Sequence, residues 1–232
     1  MPEPLRVVVA EDNYLVREGV RRLLEESGEV TVVATVGDKL QLLDAARTLR
    51  PDVVVSDIRM PPDHGMEGVD AAHDIRRQDP RTGVVILSQH ADEAYAFALF
   101  EYGTAGLAYL LKDRVGELDE LIGAVRAVAA GGSVVDPLVV ESMVASRVRR
   151  SRSPLRLLTA RETDVLRLMA QGRTNRGIAS DLCLSESAVE KHVSAILTKL
   201  DLSREASTDR RVNAVLTYLR EHADLRPPTE LP

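Results

Sequence analysis

Five times between residues 5 and 130, a short Val-rich run gives way to a longer stretch with helical spacing. The strands read at 5–10, 30–36, 52–57, 83–88 and 106–110, and the helices near 14–27, 38–49, 67–77, 92–102 and 115–130. Runs such as Val53-Val54-Val55 have no polar face, which suits strands covered by helices on both sides. Repeated strand–helix units of this kind predict a doubly wound, parallel five-stranded sheet. All strands of such a sheet point one way, so the residues that follow them gather at one edge, where open α/β folds bind ligands.

The residues at that edge carry chemistry. Glu11 and Asp12 follow the first strand, Asp57 ends the third, Ser88 ends the fourth and Lys112 follows the fifth. Three carboxylates brought together repel one another, and a small hard cation relieves the repulsion. Mg²⁺ takes one or two carboxylates, several waters and phosphate oxygens. Asp12 and Asp57 are the expected direct ligands, Glu11 acts through water, and the backbone carbonyl of Arg59 completes the set. Asp57 is the expected phosphorylation site, because a carboxylate can attack phosphorus to give an acyl phosphate. Lys112 would balance the charge and Ser88 would hydrogen-bond the phosphoryl group.

The second half of the chain has a different character. Residues 1–146 hold 14 Lys and Arg against 25 Asp and Glu, a net −11, whereas residues 147–220 hold 15 against 8, a net +7. An acidic front and a basic back imply two modules with different partners, the basic one being the candidate for nucleic acid. The domains read as 1–131, a linker at 132–157 that includes a short helix near 138–148, a helical domain at 158–222 and a flexible tail at 223–232. Gly131-Gly132 stops the fifth helix, Pro137 opens the linker helix, and the Arg-rich run at 147–154 reads as a solvated tether.

From residue 158 onward the pattern is wholly helical. Thr159-Ala160-Arg161-Glu162 is a capping box. Thr174 and Ser185 cap the next two helices, joined by a turn at Cys183-Leu184, which makes a helix-turn-helix. A fourth helix, about 208–221, places Val212, Val215, Leu216 and Leu219 on one face. Cys183, the sole cysteine, excludes an internal disulfide and reads as a small buried hydrophobe. No apolar run approaches the roughly 18 residues needed to span a bilayer, and the Met-Pro-Glu-Pro start lacks the features of a secretory signal. A cytoplasmic protein without membrane partners is the expectation.

The acidic pair Glu11-Asp12, the stretch Ser56-Asp57-Ile58-Arg59-Met60-Pro61, Ser88 and Tyr109-Leu110-Leu111-Lys112 together resemble the receiver domain of bacterial two-component response regulators. The resemblance implies a flavodoxin-like sheet in the order 2-1-3-4-5 and a phosphoryl group supplied by a sensor histidine kinase. It also implies a switch in which the Ser88 hydroxyl moves towards the phosphoryl group and the Tyr109 ring turns inward, remodelling the face around the helix at 92–102. Arg59 and His90 sit where the family tunes hydrolysis. One departure stands out: after Pro61 the loop reads Pro62-Asp63-His64-Gly65-Met66-Glu67-Gly68, longer than the family's usual form.

Leu158-Thr159-Ala160-Arg161-Glu162, Asn175-Arg176-Gly177-Ile178-Ala179 and the stretch 184–193 resemble the LuxR-type helix-turn-helix, so the whole chain is similar to the NarL/FixJ family. The third helix of the motif would enter the major groove of double-stranded DNA. Its expected exposed face holds Glu190, Lys191, Ser194, Ala195 and Thr198, with Val189, Val193, Ile196, Leu197 and Leu200 inward. Thr174, Asn175, Arg176, Ser185, His192 and Lys199 are the further candidates for DNA contact. Gly177 stands where the family usually has Glu, and Glu190 where relatives often carry a base-reading basic residue. The active form would be a homodimer joined through the fourth helix, with the linker helix carrying the coupling. The expected function is a phosphorylation-activated transcriptional regulator, which is no enzyme beyond taking part in its own phosphorylation and dephosphorylation. The alternatives are a phosphorylation-independent or ligand-sensing LuxR-type DNA-binding protein, and an aspartate-nucleophile phosphatase. Arg59 argues against the phosphatase, which needs a second acid there.

Overall fold

The computed structural model describes residues 3–114, 118–202 and 209–223. The predicted tail beyond 223 and residues 115–117 at the start of the fifth helix lie outside the described residues. The chain divides into two units, 1–144 and 145–232. Among the described residues no helix is long and apolar enough to cross a membrane.

The first unit alternates β1 (Leu5–Ala10), α1 (Tyr14–Glu26), β2 (Val30–Val36), α2 (Lys39–Leu49), β3 (Val53–Asp57), α3 (Glu67–Gln78), β4 (Gly83–Ser88), α4 (Glu93–Leu99), β5 (Leu107–Leu111) and α5 (Leu118–Ala129). A two-residue β6 (Val134–Val135) and α6 (Pro137–Arg152) follow. The sheet is parallel, in the order β2-β1-β3-β4-β5-β6. It therefore has six strands where the sequence predicts five. Val134 and Val135 pair with Ala108 and Tyr109 along the open edge of β5. A run of two residues is too short to show strand periodicity, and only the neighbouring edge makes it a strand.

Val8, Val54, Val84 and Ile86 face α2, α3 and α4 in one core; Val7, Val9, Val55 and Val85 face α1 and α5 in the other. Burial on both faces is what the unbroken valine runs require. The predicted C-cap is present: Gly131 has a φ of 79°, and the Gly132 N–H reaches the Ala127 carbonyl at 2.8 Å. Pro137 does open α6, which continues to Arg152, so the run at 147–152 is helical and not an irregular tether. Arg and Ser are adequate helix formers, and their polarity gave no sign of the continuation.

Gly68 fixes α3 against β3. Its N–H donates to the Ile58 carbonyl at 2.8 Å, and a Cβ there would lie 1.8 Å from the Asp57 carbonyl oxygen. No side chain fits without displacing the backbone that carries Asp57.

The second unit is built from α7 (Ala160–Ala170), α8 (Asn175–Asp181), α9 (Glu186–Lys199) and α10 (Arg210–Ala223), with a 3₁₀ turn at Pro154–Leu157 before them. The capping box of Thr159 and Glu162 is made in both directions, and Val165, Leu166, Ile178, Val189 and Ile196 form the core. One expectation fails here. Cys183 is exposed, because it occupies a left-handed position (φ 54°) in the turn between α8 and α9 while its neighbours Leu182 and Leu184 turn inward. On α10 the apolar face is partly covered: Val215 packs on the core beside Ala214, and Val212, Leu216 and Leu219 are exposed.

Gly68→Ala is expected to destabilise the first unit by about 2 kcal/mol or more, the cost of overpacking a closed site. A urea unfolding curve with an unchanged midpoint would contradict the close approach.

Candidate functional site

Register brings the site together. Ala10 pairs with Ser56, Asp57 with Leu87 and Ser88 with Leu111, so β1, β3, β4 and β5 end level. Oxygen atoms of Glu11, Asp12 and Asp57 all lie within 4.8 Å of one another. The Lys112 ammonium lies 2.7 Å from Glu11 Oε2 and 3.0 Å from Asp57 Oδ1. Asp57 Oδ1 also accepts from the Ile58 N–H at 2.8 Å, and Glu11 Oε1 from the Asn13 N–H at 3.3 Å. Asp12 lies at the mouth of the site. An all-oxygen donor set of this size fits a hard divalent cation.

Burial pushes the Asp57 carboxyl above the usual carboxylate range, and the charge of Lys112 opposes the shift without cancelling it. Glu11 is raised for the same reason, against its hydrogen bond from Lys112. Burial alone would lower Lys112, but Asp57 and Glu11 outweigh it and hold the ammonium above its ordinary value. The acids are thus crowded and costly to ionise, and the lysine is fixed in its charged form.

Ser88 and Tyr109 lie on the strands beside this cluster. Ser88 is buried and its Oγ donates to the His90 carbonyl at 2.9 Å. The Tyr109 ring is fully buried and its hydroxyl donates to the same carbonyl at 3.4 Å. The ring therefore points inward. Burial pushes its phenol up, keeping it a donor. The Arg59 guanidinium donates to the Tyr95 hydroxyl of α4 at 2.9 Å and lies over that ring. One residue of this site was not singled out from the sequence. His64, from the lengthened loop, places Nδ1 3.5 Å from Asp12 Oδ2. The extra loop residues were the available signal.

In the second unit, Arg176, Glu190, Lys191 and Ser194 are exposed, and His192 and Ala195 are half-buried. The hydroxyls of Thr174 and Ser185 accept from Gly177 N–H at 3.2 Å and Ala188 N–H at 3.1 Å, so both are helix caps at an exposed surface. Gly177 thus leaves the Thr174 cap intact. Two DNA candidates have partners inside the domain. The Lys199 ammonium lies 2.7 Å from Oε2 of the buried Glu162, and Asn175 Oδ1 accepts from Arg211 of α10 at 2.7 Å.

Residues 7–126 match the model of the response regulator receiver domain, and residues 156–207 that of the bacterial regulatory proteins of the luxR family. The chain is a two-component response regulator of the NarL/FixJ family. It is 38% identical to the nitrate/nitrite response regulator protein NarP of Escherichia coli over 212 residues, covering 90% of this chain and 95% of that one. It is 35% identical to the transcriptional regulatory protein DegU of Brevibacillus brevis, covering 86% and 89%. Among solved structures, ChrA, the response regulator of a heme-sensing two-component system, aligns at 30% identity with a TM-score of 0.53 over 96% of this chain and 100% of that one. RcsB of Salmonella typhimurium, at 24% identity and a TM-score of 0.63 over 93% and 99%, shares the fold. The regulator therefore joins a receiver to a LuxR-type DNA-binding domain.

A folded-state pKa raised above the unfolded value supplies stability that is complete below the unfolded carboxylate range, near 3.9 for Asp, and is lost as pH rises through the folded value. At pH 7.5 the ionised Asp57 thus destabilises the metal-free regulator. Asp57→Asn is expected to raise the melting temperature at pH 7.5 in the presence of chelator, with the gain shrinking towards pH 4. A lower melting temperature at pH 7.5 would contradict this.

Proposed function

We propose that this regulator is a transcription factor switched on by phosphorylation of Asp57 by a sensor histidine kinase. The observation that carries the reading is the cluster of Glu11, Asp12 and Asp57 with Lys112 against it. These three acids, with the backbone carbonyl of Arg59, would hold Mg²⁺, which when bound neutralises the acids and the phosphoryl oxygens. Asp57 Oδ1 is engaged by Lys112 and the Ile58 amide, leaving Oδ2 to act as nucleophile. It attacks the phosphorus of a phosphohistidine; the P–N bond breaks, the imidazole leaves and an acyl phosphate remains. Lys112 faces the new charge. The Ser88 hydroxyl then exchanges the His90 carbonyl for a phosphoryl oxygen. Tyr109 shares that carbonyl, so the exchange is communicated to the turn before α4.

The output is binding of double-stranded DNA. Helix α9 enters the major groove through Glu190, Lys191 and Ser194, with Thr174, Arg176, Ser185 and His192 on the sugar–phosphate backbone. Asn175 and Lys199 reach DNA only by leaving Arg211 and Glu162. The exposed Val212, Leu216 and Leu219 recur at helical spacing on α10 and suit a two-fold dimer contact. Such a dimer reads two half-sites about 34 Å apart.

Incubation with beryllofluoride and Mg²⁺ tests the switch. The expected result is DNA binding at least about tenfold tighter, equivalent to 1.4 kcal/mol, on a fragment obtained by binding-site selection. The Asp57→Asn variant is expected not to respond. Equal affinity with and without beryllofluoride would favour phosphorylation-independent binding.

A further inference from the structure

The lengthened loop 61–66 brings one chemically able side chain to the site. Its ends are fixed. Met60 is fully buried, its N–H reaches Oε2 of the buried Glu67 at 3.4 Å, and Met66 packs against the same core. Between these anchors the His64 N–H closes a turn onto the Met60 carbonyl at 3.1 Å, with His64 in the left-handed region at φ 51°. A non-glycine residue rarely takes that conformation, which His, Asn and Asp tolerate best. The result is an imidazole with Nδ1 3.5 Å from Asp12 Oδ2, across a sequence separation that only the fold closes.

We propose that His64 is a positioning residue for Asp12: it donates from Nδ1 to one carboxylate oxygen and turns the other towards the divalent cation. This rests on the reading of Glu11, Asp12 and Asp57 as a metal site. Three observations lead to it. Glu11 and Asp57 are each held in place by Lys112 and a backbone amide. Asp12 has neither; among the described residues the one cation-forming side chain within 4.0 Å of its carboxylate is His64. Finally, His64 lies outside the group of mutually close donor atoms, so it steers a ligand and is not one itself. A contraction of about 0.5 Å converts the present separation into an ordinary hydrogen bond, a shift within the reach of a half-exposed side chain. Fixing the rotamer of a ligating carboxylate in this way commonly changes metal affinity by about 10- to 100-fold.

The loop therefore sets the metal affinity of this receiver. The test is a titration of the full-length regulator with Mn²⁺ at pH 8, following free Mn²⁺ by electron paramagnetic resonance and displacing bound Mn²⁺ with Mg²⁺. His64→Gly removes the donor while favouring the left-handed backbone; His64→Asn keeps both a donor and the backbone preference. The expected result is about tenfold weaker Mn²⁺ binding for His64→Gly, with His64→Asn within about threefold of wild type. Unchanged melting temperatures in chelator separate this from a folding defect. Equal affinity in wild type and His64→Gly would overturn the proposal while leaving the metal site standing, as would equally weakened His64→Gly and His64→Asn. Failure of the wild type to bind Mn²⁺ at all would overturn the metal-site reading, and the proposal with it.

Discussion

The Lys112 ammonium, wedged between Glu11 and Asp57, is the contact on which the rest of the site depends. Burial raises the cost of ionising both acids, and each lies close to another carboxylate. Without a cation at this position the three acids would separate or take up protons. The lysine offsets part of that cost without cancelling it. Because it follows β5 directly, its position is set by the same strand that carries Tyr109. The charge balance of the site and the location of the Tyr109 ring are thus properties of one strand.

Much of this was legible in the chain. Val53-Val54-Val55 has no polar face, which suited an interior strand, and the ends of parallel strands are where open α/β sheets bind ligands. Glu11, Asp12, Asp57, Ser88 and Lys112 needed no more than the rule that parallel strands share a direction. The capping box at Thr159 and Glu162 was equally plain, because its chemistry is local. Other features depend on contacts that the chain does not announce. Val134-Val135 becomes a strand only because β5 offers an unpaired edge. Cys183 looks like a core residue by type, yet its left-handed backbone turns it to solvent. The stripe on α10 was visible, but which half of it faces inward depends on α7 and α9. His64 belongs to this second group: the extra loop length was evident, whereas the direction of the imidazole was not.

The two units differ in how they hold polar groups. In the receiver the buried ionic cluster sits at the functional edge. In the helical unit the comparable pair, Glu162 with Lys199, is a structural tie between the start of α7 and the end of α9. That tie, with the one between Arg211 and Asn175, fixes the ends of the helix-turn-helix and leaves the exposed centre of α9 free of intradomain ion pairs among the described residues. Lys191 and Arg176 are exposed basic side chains on α9 and α8.

The central claim is that Asp57 becomes an acyl phosphate at a metal-loaded acidic cluster. Radiolabelled acetyl phosphate, added to the full-length protein with saturating Mg²⁺, tests it most directly. The account predicts stoichiometric incorporation that chelator abolishes, that hydroxylamine releases and that Asp57→Asn does not show. A wild-type chain that takes up no label under these conditions would contradict it.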